Sequence, residues 1–170
     1  MLIRYSFALT AAVAAVPALS AELTLKVQLP RMDIAEYHRP YVAAWIEKAS
    51  DQSYAGNVAL WYDLRKRDNG GAKWLKEMRS WWRKSGHDTT LADGVTGATR
   101  TSGDHTLNLL GAKAVAALPP GRYDVVVEAA RENGGREVVR VPFDWPVQKA
   151  QSATAQGQGE LGTVSLDAKP

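Results

Sequence analysis

Pro119–Pro146 reads PPGRYDVVVEAARENGGREVVRVPFDWP, and its pattern decides the fold class. Pro119-Pro120-Gly121 is a turn signal. Arg122–Arg131 then runs as a strand, with Tyr123, Val125, Val127 and Ala129 on one face at period two. Asn133-Gly134-Gly135 is hairpin chemistry, because tight reversals need residues that tolerate positive φ. Glu137–Trp145 returns as the partner strand, and Pro146 ends it. The stretch predicts a long β-hairpin.

The same period extends outward in both directions. Leu23, Leu25, Val27 and Leu29 alternate with polar residues until Pro30, as a half-buried strand does. Tyr41–Ile46 and Val58–Leu64 are aromatic and β-branched runs of strand length, and His105–Leu110 is a less regular one. Leu161, Val164 and Leu166 fit a last short strand. Gln148–Gly159 (QKAQSATAQGQG) is polar and small, the composition of a linker. One helix interrupts the strands. In Ala72–Lys84, residues Trp74, Leu75, Met78, Trp81 and Trp82 form a single apolar stripe, with Lys73, Lys76, Glu77, Arg79 and Arg83 mostly opposite. Short strands at regular spacing predict a mainly β fold, an immunoglobulin-like β-sandwich with one amphipathic helix inserted. The expected division is a signal peptide at 1–21, the sandwich at 22–147, the linker at 148–159, and a C-terminal strand and tail at 160–170.

The N-terminus has the secretory order of a charge (Arg4), an apolar run (Tyr5–Val16) and small residues (Pro17–Ala21). Tyr5–Leu19 as a helix is short of a roughly 30 Å hydrocarbon core, and Glu22 follows at once, so cleavage after Ser20 or Ala21 and a periplasmic destination are expected. No cysteine occurs, which excludes a lipoprotein anchor, disulfides and thiolate metal sites. Loss of Arg4 leaves 20 basic against 18 acidic side chains, a balance that does not point to nucleic acid.

Several catalytic patterns are absent: a GxSxG elbow, a phosphate loop leading to lysine, and HExxH. His38, His87 and His105 lack ligand spacing, and no metal is expected. Gly157–Gly162 (GQGELG) matches GxGxxG, but it follows a linker and precedes a strand, the wrong context for dinucleotide binding. Arg65–Lys84 interleaves eight basic residues with Trp74, Trp81 and Trp82. It fits either a solvated helix face over a tryptophan-rich core or a platform for an anionic aromatic ligand.

Asp93–Arg100 (DGVTGATR) is the chemically informative segment. Asp-Gly and Thr-Gly are turn dipeptides, and the Thr99 hydroxyl is flanked by groups too small to shield it. DGVTGAT resembles the acceptor motif of ApbE-type flavin transferases, Asp-x-x-(Ser/Thr)-Gly-Ala-(Ser/Thr). Asp93, Thr96, Gly97, Ala98 and Thr99 match every defined position, against roughly one chance match per thousand chains of this length. The resemblance implies FMN moved from FAD onto Thr99 as a phosphoester. It further implies that Gly97 and Ala98 let the backbone enter the transferase, that Asp93 contacts the enzyme or its Mg²⁺, and that Arg100 pairs with the phosphate.

HRPYVAAWIE, ALWYD, KWLKEMRSWWR, DGVTGATR and LPPGRYDVVVEAARENGGREVVRVPFDWP together resemble the predicted periplasmic proteins of domain-of-unknown-function family 2271, over about residues 22–147. That resemblance implies the company of PepSY-type membrane proteins and ApbE-type transferases. Two functions follow. One is an electron-carrier flavoprotein with FMN on Thr99, not an enzyme in isolation, in which Tyr41 and the tryptophans cover the ring. The other is a non-catalytic periplasmic β-sandwich binding or interaction module without flavin.

Overall fold

The computed structural model describes residues 21–85 and 95–170. The expected signal peptide, apart from Ala21, lies outside these residues, as do His87 and Asp93. Among the described residues the chain is mainly β, in two sheets. The first contains β1 (Glu22–Leu29), β5 (Gly103–Asn108), β8 (Gln151–Gln156) and β9 (Thr163–Lys169), in the order β5-β1-β9-β8. The second contains β2 (Tyr41–Lys48), β3 (Tyr54–Tyr62), β4 (Thr96–Ala98), β6 (Gly121–Ala130) and β7 (Arg136–Trp145), in the order β4-β3-β2-β6-β7. All pairings are antiparallel except β3 with β4.

The hairpin read from Pro119–Pro146 forms as expected. β6 and β7 stay in register from Ala130↔Arg136 to Gly121↔Trp145, and Asn133 takes φ 53° in the turn. The Tyr123 hydroxyl donates to the Pro119 carbonyl at 2.7 Å, closing the corner that leads into β6.

The two sheets share one core. Leu23, Leu25, Val27 and Leu29 of β1 meet Val42, Ala44 and Ile46 of β2 and Val125, Val127 and Ala129 of β6 there. A second core lies on the other face of the five-stranded sheet, where Tyr41, Ala43, Trp45, Leu60 and Val126 pack against Leu75, Met78 and Trp81. β2 and β6 are therefore buried on both faces, which explains why their sequences are near-continuous apolar runs and not clean alternations.

The segment covering that second core differs from the single helix expected over Ala72–Lys84. Ala72–Glu77 is a 3₁₀ helix and α1 (Arg79–Lys84) is a separate α-helical turn and a half, with Met78 between them at φ −78°, ψ 71°. The cause is Glu128 on β6. Its fully buried carboxylate accepts the main-chain N–H groups of Ser80 (3.1 Å) and Trp81 (2.7 Å) and pairs with Arg136. The break at Met78 turns those N–H groups onto the carboxylate, which satisfies orphan donors of the helix start. The apolar stripe survives: Leu75, Met78 and Trp81 are buried, while Trp74 and Trp82 are half-buried. Of the two readings of this region, the tryptophan-rich core describes Trp81.

The stretch 148–159 is not a featureless linker, since β8 occupies Gln151–Gln156 and pairs with β9 (Ala153↔Leu166). Ala153 and Ala155 turn inward onto the shared core, while Ser152 Oγ donates to Asp167 at 2.7 Å on the outside. Small inward residues make the strand; composition alone hid their period of two.

The GxGxxG look-alike at Gly157–Gly162 turns β8 into β9 and holds one of the protein's own carboxylates. Glu137 of β7 accepts N–H groups from Gln158 (2.6 Å), Leu161 (2.9 Å) and Gly159 (3.1 Å), and Arg131 forms a bidentate pair with Glu160 at 2.7 and 2.8 Å. A side chain at Gly157 would collide with the Leu161 carbonyl, so glycine is required there. Burial alone would raise the Glu137 pKa, but the three N–H groups outweigh it and hold the carboxyl below its ordinary value. Because the folded pKa is depressed, this stabilisation is present above the unfolded pKa of about 4.3 and is lost as pH falls through the lower folded value. Glu137→Gln is expected to cost about 1–3 kcal/mol at pH 7, with the gap from wild type closing as pH falls below the ordinary carboxylate range, in urea titrations run from neutral to acid pH.

Candidate functional site

The defined register gathers one end of the five-stranded sheet. Tyr41↔Ala130, Val42↔Trp61 and Tyr62↔Ala98 bring the start of β2 and the ends of β3, β4 and β6 to the same edge. Thr99 is the first residue beyond β4. Two main-chain bonds fix its strand against β3, from Leu60 N to Val95 O at 2.7 Å and from Thr99 N to Tyr62 O at 3.2 Å.

Thr99 lines a cleft of about 230 Å³ at this edge, with Tyr37, His38, Arg39, Tyr41, Asp63, Arg65, Lys66 and Glu132. Its floor is a closed network. Tyr41 OH donates to Glu132 Oε1 at 2.7 Å, Lys66 Nζ pairs with the same oxygen, and the ammonium also lies 5.7 Å from the Trp74 ring centroid. Burial, reinforced by the bond to Glu132, pushes the Tyr41 phenol far above the ordinary tyrosine value. Burial works against the charge of Glu132, but the bonds from Lys66 and Tyr41 prevail and keep it ionised below its usual range. Asp63 Oδ1 accepts the main-chain N–H of Arg65 at 3.0 Å. Arg39 and Arg65 are exposed and form no ion pair among the described residues. Lys66 is spent on Glu132, so the positive charge left to face a ligand comes from these two guanidinium groups beside His38.

The motif residues fall on different sides of this arrangement. Thr99 is in the cleft. Thr96 and Ala98 are exposed on β4, and Gly97 lies against Trp61, where a Cβ would make ordinary contact at 3.4 Å. The free fold therefore tolerates a side chain at Gly97. Arg100 is stacked on Trp61, its Cζ 5.3 Å from the ring centroid, and is not among the residues lining the cleft. His105 meets the same ring edge-on at 5.6 Å. Tyr37, His38, Arg39 and Glu132 join the site with no local signal of their own, since only the strand register brings them to Thr99. Among the described residues no group of three or more His, Asp or Glu is arranged to hold a metal ion, and no helix is long and apolar enough to cross a membrane.

Fold and site together define a two-sheet β-domain with a small cationic cleft at the end of one sheet. The chain belongs to the family described as "Predicted periplasmic protein (DUF2271)", which matches residues 22–163, and its location is the periplasm. No curated protein matches the chain, and no solved structure does.

Proposed function

We propose that this protein is a periplasmic electron carrier holding FMN covalently on Thr99, loaded by an ApbE-type transferase and exchanging electrons with a PepSY-type membrane protein. The observation that carries the reading is the coincidence of two independent features. Thr99 is the acceptor position of the DGVTGAT motif, and its residue lines the cleft that Arg39 and Arg65 make cationic. In the transfer, Thr99 Oγ1 forms the new O–P bond, the pyrophosphate P–O bond of FAD breaks, AMP leaves, and the hydroxyl proton passes to a base of the transferase. Bound FMN would supply one- or two-electron transfer. At about 230 Å³ the cleft is smaller than the ~300 Å³ lower bound of drug-sized pockets. It suits a phosphate and part of a ribityl chain and leaves the ring outside, as an electron carrier requires. Tyr37, at 38% exposure, offers apolar surface on its lining.

The protein's own residues divide the work. Arg39 and Arg65 neutralise the phosphoester, and the Tyr41–Glu132–Lys66 network fixes the floor. Asp93, Thr96, Gly97 and Ala98 serve recognition by the transferase. Arg100, stacked on Trp61, supports the end of β4. Co-expression with an ApbE-type transferase is expected to give a band that keeps flavin fluorescence on a denaturing gel. A dark band beside a fluorescent control substrate would favour the second reading, a binding or interaction module without flavin.

A further inference from the structure

We infer that His38, Arg39 and Arg65 form a phosphate-binding clamp, which takes the phosphate monoester of free FMN non-covalently and, after transfer, holds the phosphodiester that links FMN to Thr99. The inference deepens the Thr99 reading and rests on it for the identity of the natural ligand, FMN; the clamp itself follows from the cleft. Asp63 and Glu132 also line it: Lys66 neutralises Glu132, which is bonded to Tyr41, and Asp63 accepts the Arg65 main-chain N–H but keeps its charge, so Arg39 and Arg65 together leave the cleft one positive charge in excess. Arg39 and Arg65, free of carboxylate ion pairs among the described residues, and His38 line the same small cleft as Thr99. Guanidinium groups match phosphate oxygens bidentately, and such charge-assisted bonds are the strong ones. A cleft too small for the flavin ring reads the phosphate end and is largely blind to the ring.

Modest affinity suffices for this purpose. A short tether raises local concentration to the order of millimolar, so a clamp with a dissociation constant of about 0.1 mM would hold the tethered phosphate most of the time. Its role is then to orient the attached cofactor at the sheet end and not to retain it.

The test uses protein made without a transferase, in wild-type and Arg39→Ala/Arg65→Ala forms. Anisotropy of dilute FMN and of dilute riboflavin is followed while protein is added to roughly 1 mM, the range set by that local concentration. FMN is expected to bind at least about tenfold more tightly than riboflavin, with inorganic phosphate and raised salt competing. The double arginine variant, altered only at exposed side chains, should lose the preference. Equal binding of the two flavins, absence of FMN binding, or a preference that survives the double variant would overturn the clamp. Because the assay needs no covalent transfer, a dark gel after co-expression together with intact FMN preference would remove the covalent reading and leave the clamp. Covalent loading with no such preference would do the reverse.

Discussion

Thr99→Val is expected to bring covalent flavin to zero after co-expression with an ApbE-type transferase, with folding unchanged. Valine keeps the shape of threonine and removes the only oxygen that a phosphoester at this position can use. Thr99 contributes its main-chain N–H to Tyr62, which the substitution leaves in place. The residue is half-buried at a strand end, so stability should move by no more than about 0.5 kcal/mol. Thr99→Ser retains the hydroxyl and should load, because the motif admits either residue. In-gel flavin fluorescence and a urea titration on the same three proteins measure both halves. Covalent flavin on the valine protein would remove Thr99 from the account.

Glu128→Ala is expected to be the most damaging single change in the fold. The carboxylate is fully buried, takes two main-chain N–H groups at the start of α1, and pairs with Arg136, which also donates to Ser80 Oγ at 2.6 Å. Alanine leaves two N–H donors and a guanidinium without their acceptor. Arg136 is exposed and water can take up its guanidinium, so the cost rests on the two main-chain donors, at about 1–3 kcal/mol each. At roughly 2–4 °C per kcal/mol for a chain of this size, the melting temperature should fall by about 4 °C or more. Glu128→Gln keeps an acceptor oxygen and should lose less. A loss below about 1 kcal/mol in the alanine protein would mean that the cover over Trp45 and Trp81 does not depend on this anchor.

Legibility from sequence followed the physical range of each signal. The hairpin was readable because Tyr123, Val125 and Val127 alternate and Asn133 supplies the turn, all within one local window. β8 escaped because Ala153 and Ala155 are too small to mark an inward face. The break at Met78 escaped for a different reason: nothing at Met78 disfavours helix, and its cause, Glu128, is fifty residues away. Thr99 stood out through its motif, but the cleft did not. Arg39, Arg65 and Glu132 reach it from the ends of separate strands, and that convergence exists only once β2, β3, β4 and β6 are in register. Arg100 was the natural phosphate partner by adjacency along the chain, yet in the fold it lies on Trp61, and Arg39 and Arg65 hold the place beside Thr99.

The most direct measurement is the mass of the tryptic peptide Ser85–Arg100 from protein exported alongside an ApbE-type transferase and then denatured. A gain of about 438 Da is expected, FMN less water through a phosphoester, with fragment ions assigning it to Thr99. An unmodified peptide beside a fully modified control substrate, or a gain carried by another hydroxyl of the same peptide, would contradict it.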